Sequence, residues 1–288
     1  MDDRRKYNHI TPKFILNNFA FEKKKKKNKS INYVYWYKKE TKEDIRKATD
    51  DICGQNYLYE MLNENNEIDK EVNFNINEKG LEKLESNIWA PLCNKIIEDP
   101  NVELTDEDIV GIYYLVAIQQ LRTPVEIEIT KKLIKKIAEP YLNKKLDDYV
   151  LDQWAKTSIF PFHGLGENAS FTLKIVLDRL FNNNRIVVYR INEKTTDSRF
   201  VINGEEPIVL HSLEGKITLT NWYFPIAPTV CLGLIDDSLM RNTAMIPLPM
   251  FFEAQEYFVK QINRTSLDEP GRALVSQIKI NENRRILF

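Results

Sequence analysis

The sequence predicts an α+β fold, in which a central helical bundle packs on a mostly antiparallel sheet. Apolar residues recur at helical spacing through the middle of the chain, and short β-rich segments follow one another closely after residue 184. Segments this close leave no room for crossover helices, so neighbouring strands should run antiparallel. We therefore expect one domain over residues 1–288, with a helical subdomain at about 75–182 and a sheet from 1–60 and 185–288.

The helices are predicted from the period of the apolar residues and from their end signals. One helical run covers residues 81–96, and Pro91 should kink or break it. Thr105 is a typical N-cap for the next helix, which should end near Arg122 because Pro124 follows. The remaining helices are predicted at about 127–138, 142–150, 170–181 and 250–262.

The strands are predicted where β-branched and aromatic residues lie between turn residues. The first is Ile31–Tyr37. The lysine run Lys23–Lys27 before it should be a solvated loop, because five like charges repel one another. The later strands are predicted at 185–191, 200–202, 208–210, 217–219 and 230–234.

The composition disfavours several classes of protein and of site. The 41 basic and 42 acidic residues nearly cancel, so only a local basic patch could hold a polyanion such as nucleic acid. The three cysteines are widely spaced, which argues against a disulfide framework and a structural zinc site. No apolar run approaches the ~20 residues that span a bilayer. No apolar segment follows the charged N-terminus, so we predict a cytoplasmic protein that does not associate with a membrane.

The motif scan is negative for the common catalytic signatures. The sequence contains no G-x-x-x-x-G-K-[ST] phosphate loop, no G-x-G-x-x-G, no H-E-x-x-H and no G-x-S-x-G. Its three histidines, His9, His163 and His211, show no ligand spacing with carboxylates or cysteines, so no metal ligands are predicted. These absences disfavour P-loop hydrolysis, Rossmann redox chemistry, zincin proteolysis and esterase chemistry.

The most informative segment is the start of the chain, His9–Phe19. Pro12 biases Thr11 toward an extended backbone, so His9 should be held in a defined position. The segment has the pattern H-x-x-P-x-F-x-L-x-x-F, which resembles the opening of a largely bacterial family known as domain of unknown function 4238. That resemblance implies a fold and a set of site candidates, but no reaction.

Four further segments resemble the same family in the same order, from about Asn8 to Leu234. They are the Q-x-x-R-T-P segment Gln119–Pro124, a glutamate on the preceding helix at Leu84-Glu85, a strand-turn-strand at Phe200–Ile208 and an F-P-L-S-P-like segment at Phe224–Pro228. The turn departs from the family pattern S-D-N, because this chain has Gly204, Glu205 and Glu206 there. The turn carboxylate is kept but lengthened.

The family motif positions supply the candidate site. The candidate catalytic residues are His9, Glu85, Arg122 and Glu205, and the candidate substrate-binding residues are Lys13, Tyr57, Gln119 and His211. A buried arginine needs a carboxylate or phosphate partner, so we expect Arg122 to contact Glu85 or Glu205. The four catalytic candidates should converge where the helical half meets the sheet.

Three hypotheses about function remain open at this stage. The first is a phosphodiester-cleaving nuclease acting on RNA in a bacterial toxin or phage-defence setting. In it, His9 is the general acid or base, Arg122 stabilises the transition-state charge, and Glu85 or Glu205 is the partner base or a ligand of Mg²⁺, the candidate cofactor. The second is a non-catalytic module that binds a nucleotide-like or other anionic ligand. In the third, the polar set is a structural network. Nucleic acid, a second copy of the chain and a partner protein are the candidate partners.

Overall fold

The computed structural model describes residues 7–26, 29–69, 75–162, 170–212, 220–237 and 250–283. Its strands are β1 Tyr7–His9, β2 Glu22–Lys26, β3 Lys29–Lys38, β4 Glu43–Ala48, β5 Gly54–Asn56, β6 Asn184–Arg190, β7 Ile202–Asn203, β8 Val209–Ser212, β9 Thr220–Ala227, β10 Val230–Asp236, β11 Met250–Glu253 and β12 Ala273–Ser276. Its α-helices are α1 Lys13–Asn18, α2 Ile76–Leu84, α3 Ala90–Glu98, α4 Asp106–Leu121, α5 Pro124–Leu142, α6 Asp148–Ile159, α7 Phe171–Asn183 and α8 Glu256–Asp268. The predicted α+β class is confirmed.

The described strands form three sheets rather than the one that was expected. One has the order β11-β6-β10-β9-β8, and a second has the order β2-β3-β12-β7 with β4 also paired to β3. The third is the small pair of β1 and β5. All pairings are antiparallel except that of β11 with β6. Strands β2, β3 and β4 therefore share a sheet with β7 and β12. The strands β6, β8, β9, β10 and β11 form a sheet of their own.

The helical half forms for the reasons that the sequence indicates. Thr105 caps α4 with a full capping box, in which its side chain accepts from the Asp108 backbone and the Asp108 carboxylate accepts from the Thr105 backbone. Ile112 of α4, Leu180 of α7 and Phe224 of β9 belong to the same buried apolar cluster. Helices and sheet therefore share one core.

Several predicted boundaries are wrong, and each error has a local cause. The lysine run lies mostly in β2, which forms an antiparallel hairpin with β3. Within β2, Lys24 forms an ion pair with Glu22. Pro140 sits inside the last turn of α5, so the next helix starts only at Asp148 and continues to Ile159. Residues 250–253 are strand β11, and the last described helix begins at Glu256. The strand predicted at 217–219 lies outside the described residues.

A buried group of charges ties α6 to α5 and to the loop before α2. The Asp152 carboxylate is 3% exposed, and its oxygens lie 3.0 Å from the ammonium groups of both Lys156 and Lys131. It also accepts the backbone N–H of Leu62 at 3.2 Å. Lys156 donates a second hydrogen bond to the Glu60 carbonyl. Burial lowers the pKa of Lys156, while Asp152 acts in the opposite direction.

Among the residues that the structure describes, no helix is both long and apolar enough to cross a membrane.

Candidate functional site

His9 is held by the pairing of β1 with β5, where it lies opposite Gly54. The next residue continues this attachment, since the Ile10 N–H donates to the Cys53 carbonyl at 2.7 Å. Gly54 is required for the close approach, because a Cβ there would lie 2.6 Å from the Asn8 carbonyl oxygen. The defined position of His9 that Pro12 suggested is thus produced chiefly by strand pairing.

Arg122 is the centre of the site. It caps the C-terminus of α4 with only 2% of its side chain exposed. Its guanidinium donates to Glu85 Oε1 at 2.7 Å, to the Tyr59 hydroxyl at 2.8 Å and to the His9 carbonyl at 2.5 Å. The Tyr59 hydroxyl in turn donates to the same His9 carbonyl at 2.9 Å. The predicted carboxylate partner of Arg122 is therefore Glu85.

The charge state of Arg122 follows from these contacts. Burial lowers the pKa of the guanidinium, but Tyr59 and Glu85 raise it, and the net pKa lies above its ordinary value. Burial also raises the pKa of the Tyr59 hydroxyl, so Tyr59 is neutral at pH 7. The site thus holds one cation and one carboxylate, and the Glu85 side chain, 20% exposed, connects them to solvent.

A π-helical segment, Glu85–Trp89, places Glu85 at the start of a widened turn between α2 and α3. The Ala90 N–H donates to the Glu85 carbonyl, five residues back. Pro91 explains this local geometry, because a proline has no N–H and its ring would clash with the Asn87 carbonyl in a regular α-helix. We expected a kink or a break at Pro91, and the structure shows a widened turn that joins α2 to α3 without a break. π-Helical turns occur often at functional sites.

The His9 imidazole is oriented by Thr49, whereas the His9 main chain is held by β5 and Arg122. Its Nε2 lies 3.2 Å from the Thr49 carbonyl oxygen, which can only accept, so Nε2 carries the proton when the ring is neutral. The pKa of His9 is lowered, first by burial and then by the charges of Arg122 and Lys13, against the Thr49 hydrogen bond. At pH 7 the ring is neutral, and Nδ1 is the basic nitrogen.

Gln119 and Lys13, two of the predicted substrate-binding residues, lie on either side of the segment that contains His9 and Ile10. Gln119 is 1% exposed and donates from Nε2 to the Ile10 carbonyl at 2.9 Å, so it anchors the residue after His9. Lys13 lies on α1, its side chain is 44% exposed, and it forms an ion pair with Asp50. A solvent-accessible cation therefore stands beside the His9 ring.

The turn at Gly204 approaches the site, but Glu205 does not join it. The Thr11 hydroxyl donates to the Gly204 carbonyl at 2.9 Å, which ties the turn to the segment after His9. A Cβ on Gly204 would lie 2.4 Å from Cys53 Sγ, so a glycine is needed for this contact. The Glu205 carboxylate forms its ion pair with Arg272 at 3.1 Å. Of the four residues expected to converge, Arg122 contacts the Glu85 carboxylate and the main-chain carbonyl of His9, whereas the His9 imidazole contacts Thr49 and the Glu205 carboxylate binds Arg272. The expected convergence is therefore wrong for Glu205, and His9 contacts Arg122 through its main chain.

Tyr57 and His211 are also outside the Arg122 cluster. Tyr57 lies in a turn with a φ of 57° and is half-buried. His211 on β8 contacts Gln261 of α8 through its Nε2 at 3.2 Å. His163 lies outside the described residues. In the described part of the chain, no group of three or more His, Cys, Asp and Glu residues could hold a metal ion.

Sequence reasoning missed three residues of this region: Thr49, Tyr59 and Glu206. Thr49 and Tyr59 contact the site from short segments without a regular period, so no pattern could indicate them. Glu206 is the turn carboxyl that reaches the junction of α4 and α5, where Thr123 hydrogen-bonds to it. Burial and the nearby Glu126 raise the pKa of Glu206 to about 7.

The raised pKa of Glu206 makes stability depend on pH. A carboxyl whose pKa is higher in the folded chain stabilises the fold below its unfolded pKa, and this contribution disappears as pH rises toward 7. A pKa rise of this size corresponds to at most about 3.4 kcal/mol, and solvent screening of this partly buried group reduces it to about 1–2 kcal/mol. We expect Glu206→Gln to raise the free energy of unfolding by that amount near pH 8 and to change it little near pH 4.5.

Urea unfolding at both pH values measures this difference. Glu64→Gln in an exposed loop is the matched control and should have no effect at either pH. An equal effect of Glu206→Gln at both pH values would show that the carboxyl titrates normally.

The protein is of the α+β class. Its candidate site is formed by the buried Arg122, which contacts both the Glu85 carboxylate and the main-chain carbonyl of His9. The family model described as protein of unknown function (DUF4238) matches residues 7–279 of the 288-residue chain, so the chain belongs to this family. The match covers every strand and helix described above, from β1 to β12. The curated proteins and the solved structures contain no match to this chain.

Proposed function

We propose that this protein cleaves RNA, with His9 as the general base. The observation that carries the proposal is the His9 ring, which is neutral at pH 7 and turned so that Nε2–H faces the Thr49 carbonyl. A fixed tautomer with a free basic nitrogen is what a general base requires. The Lys13 ammonium near the ring is solvent-accessible, and a phosphate could bind it by replacing Asp50 in its ion pair.

The reaction that fits these groups uses the nucleophile of RNA itself. His9 Nδ1 takes the proton of a ribose 2′-hydroxyl, the 2′-oxygen attacks the adjacent phosphorus, and the bond from phosphorus to the 5′-oxygen breaks. The leaving oxygen takes a proton from water, and the imidazolium returns its proton to solvent. The products are a 2′,3′-cyclic phosphate and a 5′-hydroxyl, so DNA is not a substrate.

Arg122 has a different role in this proposal from the one its motif suggested. Its side chain is 2% exposed and binds three protein groups, so it is a positioning residue that fixes the His9 main chain. Lys13 takes over the contact with the phosphate. The toxin or phage-defence setting and the cytoplasmic location rest on the family resemblance and on the sequence, and they stay predictions.

The test uses one RNA oligonucleotide and a DNA oligonucleotide of the same sequence, each with Mg²⁺ and with EDTA. We expect cleavage of RNA alone, a cyclic phosphate detected by mass spectrometry, and a loss of about 100-fold or more in rate for His9→Ala. His211→Ala is the matched control, since it removes the other described histidine and should keep the activity. Circular dichroism and thermal unfolding check that each variant folds.

Two results would contradict the proposal. Cleavage by His9→Ala at the rate of the unchanged chain would exclude His9 as the base. Binding of RNA or nucleotides that raises the melting temperature without any product would favour the non-catalytic binding module.

A further inference from the structure

Helix α5 exposes a regular stripe of large apolar side chains. Val125, Ile129, Leu133 and Ile137 follow one another at intervals of four residues, and their exposed fractions are 44%, 49%, 52% and 63%. Residues four apart lie on neighbouring positions of one helix face, so these side chains form a continuous ridge. Tyr141, 89% exposed, extends the ridge at the C-terminal end of the helix.

This exposure is unusual for a helix that already has a buried face. Ile127 and Thr130, 3% and 4% exposed, turn toward the bundle, so α5 is apolar on its outer side as well. Six of the sixteen large apolar residues that are exposed in the described chain belong to α5. A helix that is apolar on both sides is typically covered on both sides, and an exposed apolar patch of this kind marks an interaction surface.

The charges beside the ridge indicate what covers it. The N-terminal half of α5 carries Glu126, which accepts a hydrogen bond from Gln120, and Glu128, which forms an ion pair with Lys131 but keeps 59% of its side chain exposed. Lysines predominate in the C-terminal half, which carries Lys132, Lys135 and Lys136 beside the single Glu139. Two copies of such a helix in parallel would place like charges side by side. Two copies in antiparallel orientation place the acidic half of each beside the basic half of the other, which is the favourable arrangement.

We propose that the ridge is the contact surface between two copies of this chain, whose α5 helices pack antiparallel about a two-fold axis at the level of Lys131. This level is the midpoint of the ridge. Val125 then faces Ile137 of the partner subunit, and Ile129 faces Leu133 of the partner subunit. A two-fold contact is closed and self-complementary, so association stops at a dimer.

The same register brings opposite charges together. At a rise of about 1.5 Å per residue, Glu128 lies about 3 Å along the axis from Lys136 of the partner subunit. The proposal is independent of the RNA-cleaving function, since it uses neither His9 nor Lys13.

The mass of the full chain in solution tests the dimer. Light scattering after gel filtration should give twice the 33.9 kDa chain mass, and sedimentation velocity should give a dissociation constant. We expect Leu133→Glu to raise that constant at least about tenfold, because it places two carboxylates in the apolar contact. Tyr257→Glu on α8 is the matched control, an exposed aromatic residue away from the ridge that should leave the constant unchanged.

A charge exchange tests the antiparallel register. Glu128→Lys and Lys136→Glu should each weaken the dimer, and the double variant should restore it, because the opposite charges again face each other. A single-chain mass at every concentration would overturn the proposal, and so would binding to anionic lipid vesicles by a chain that stays monomeric. A dimer that Leu133→Glu leaves intact, with the variant folded by circular dichroism, would place the contact elsewhere.

Discussion

Replacing Glu85 by alanine is expected to lower the free energy of unfolding by about 3–5 kcal/mol. The carboxylate is the only anionic partner that contacts the Arg122 guanidinium in the described structure, and Arg122 is 2% exposed. Without Glu85 the cation stays buried with only the neutral Tyr59 hydroxyl and the His9 carbonyl as partners. Chemical denaturation at pH 7 measures the loss.

Two further variants show whether the lost charge is the cause. Glu85→Gln keeps an oxygen acceptor for Arg122 and should cost less than the alanine variant. Glu82→Ala, an exposed glutamate on the same helix run, should change the stability by no more than about 0.5 kcal/mol. A loss below about 1 kcal/mol for Glu85→Ala would show that water replaces the carboxylate.

The second large effect is expected at Asp152. Asp152→Ala should cost about 3–5 kcal/mol, because it leaves the buried ammonium of Lys156 with the Glu60 carbonyl but no carboxylate. Burial already lowers the pKa of Lys156 and Asp152 raises it, so removal of Asp152 would lower that pKa further. Since the unfolded chain binds that proton at high pH and the folded one does not, stability of the variant should recover as pH rises toward about 9.5.

A second substitution, at Lys156, tests whether the buried lysine charge causes the loss of stability. Lys156→Met in the Asp152→Ala background removes the buried charge and should restore most of the lost stability, because an apolar pair of similar volume is often neutral. Thermal and urea unfolding of Asp152→Ala, Lys156→Met, the double variant and the unchanged chain give the coupling between the residues. Additive losses would mean that the two side chains do not form the pair seen in the structure.

The sequence predicts most of the helices because their signals are local. Thr105 with Asp108 marks the start of α4 and Pro124 marks its end, and all three lie in this helix or within three residues of it. Sheet membership depends on distant partners instead. Nothing near Ala273–Ser276 reveals that β12 lies between β3 and β7, so the division into separate sheets could not be predicted.

The site residues could likewise be predicted where a local motif contains them, but not where their partners lie far along the chain. The family motifs placed Arg122 and Glu85 among the candidates, and the need of a buried guanidinium for an anion predicted their contact. Motifs could not choose between Glu85 and Glu205 as that partner, because the choice depends on Arg272, far along the chain, which binds Glu205. Tyr59 was missed since its role arises only when the loop folds over α4.

The position of β12 also determines when this protein can fold during its synthesis. β12 pairs with β3 on one side and β7 on the other, with Val275 opposite Trp36 and Ile202. The ribosome makes the β2–β3–β4 ribbon first, but the Tyr35–Lys38 part of one β3 edge, beyond the residues that pair with β2, has no neighbour until β12 emerges. The helices can form earlier from local contacts. A nascent chain stalled before residue 273 should therefore carry an open strand edge, which a holdase chaperone could bind.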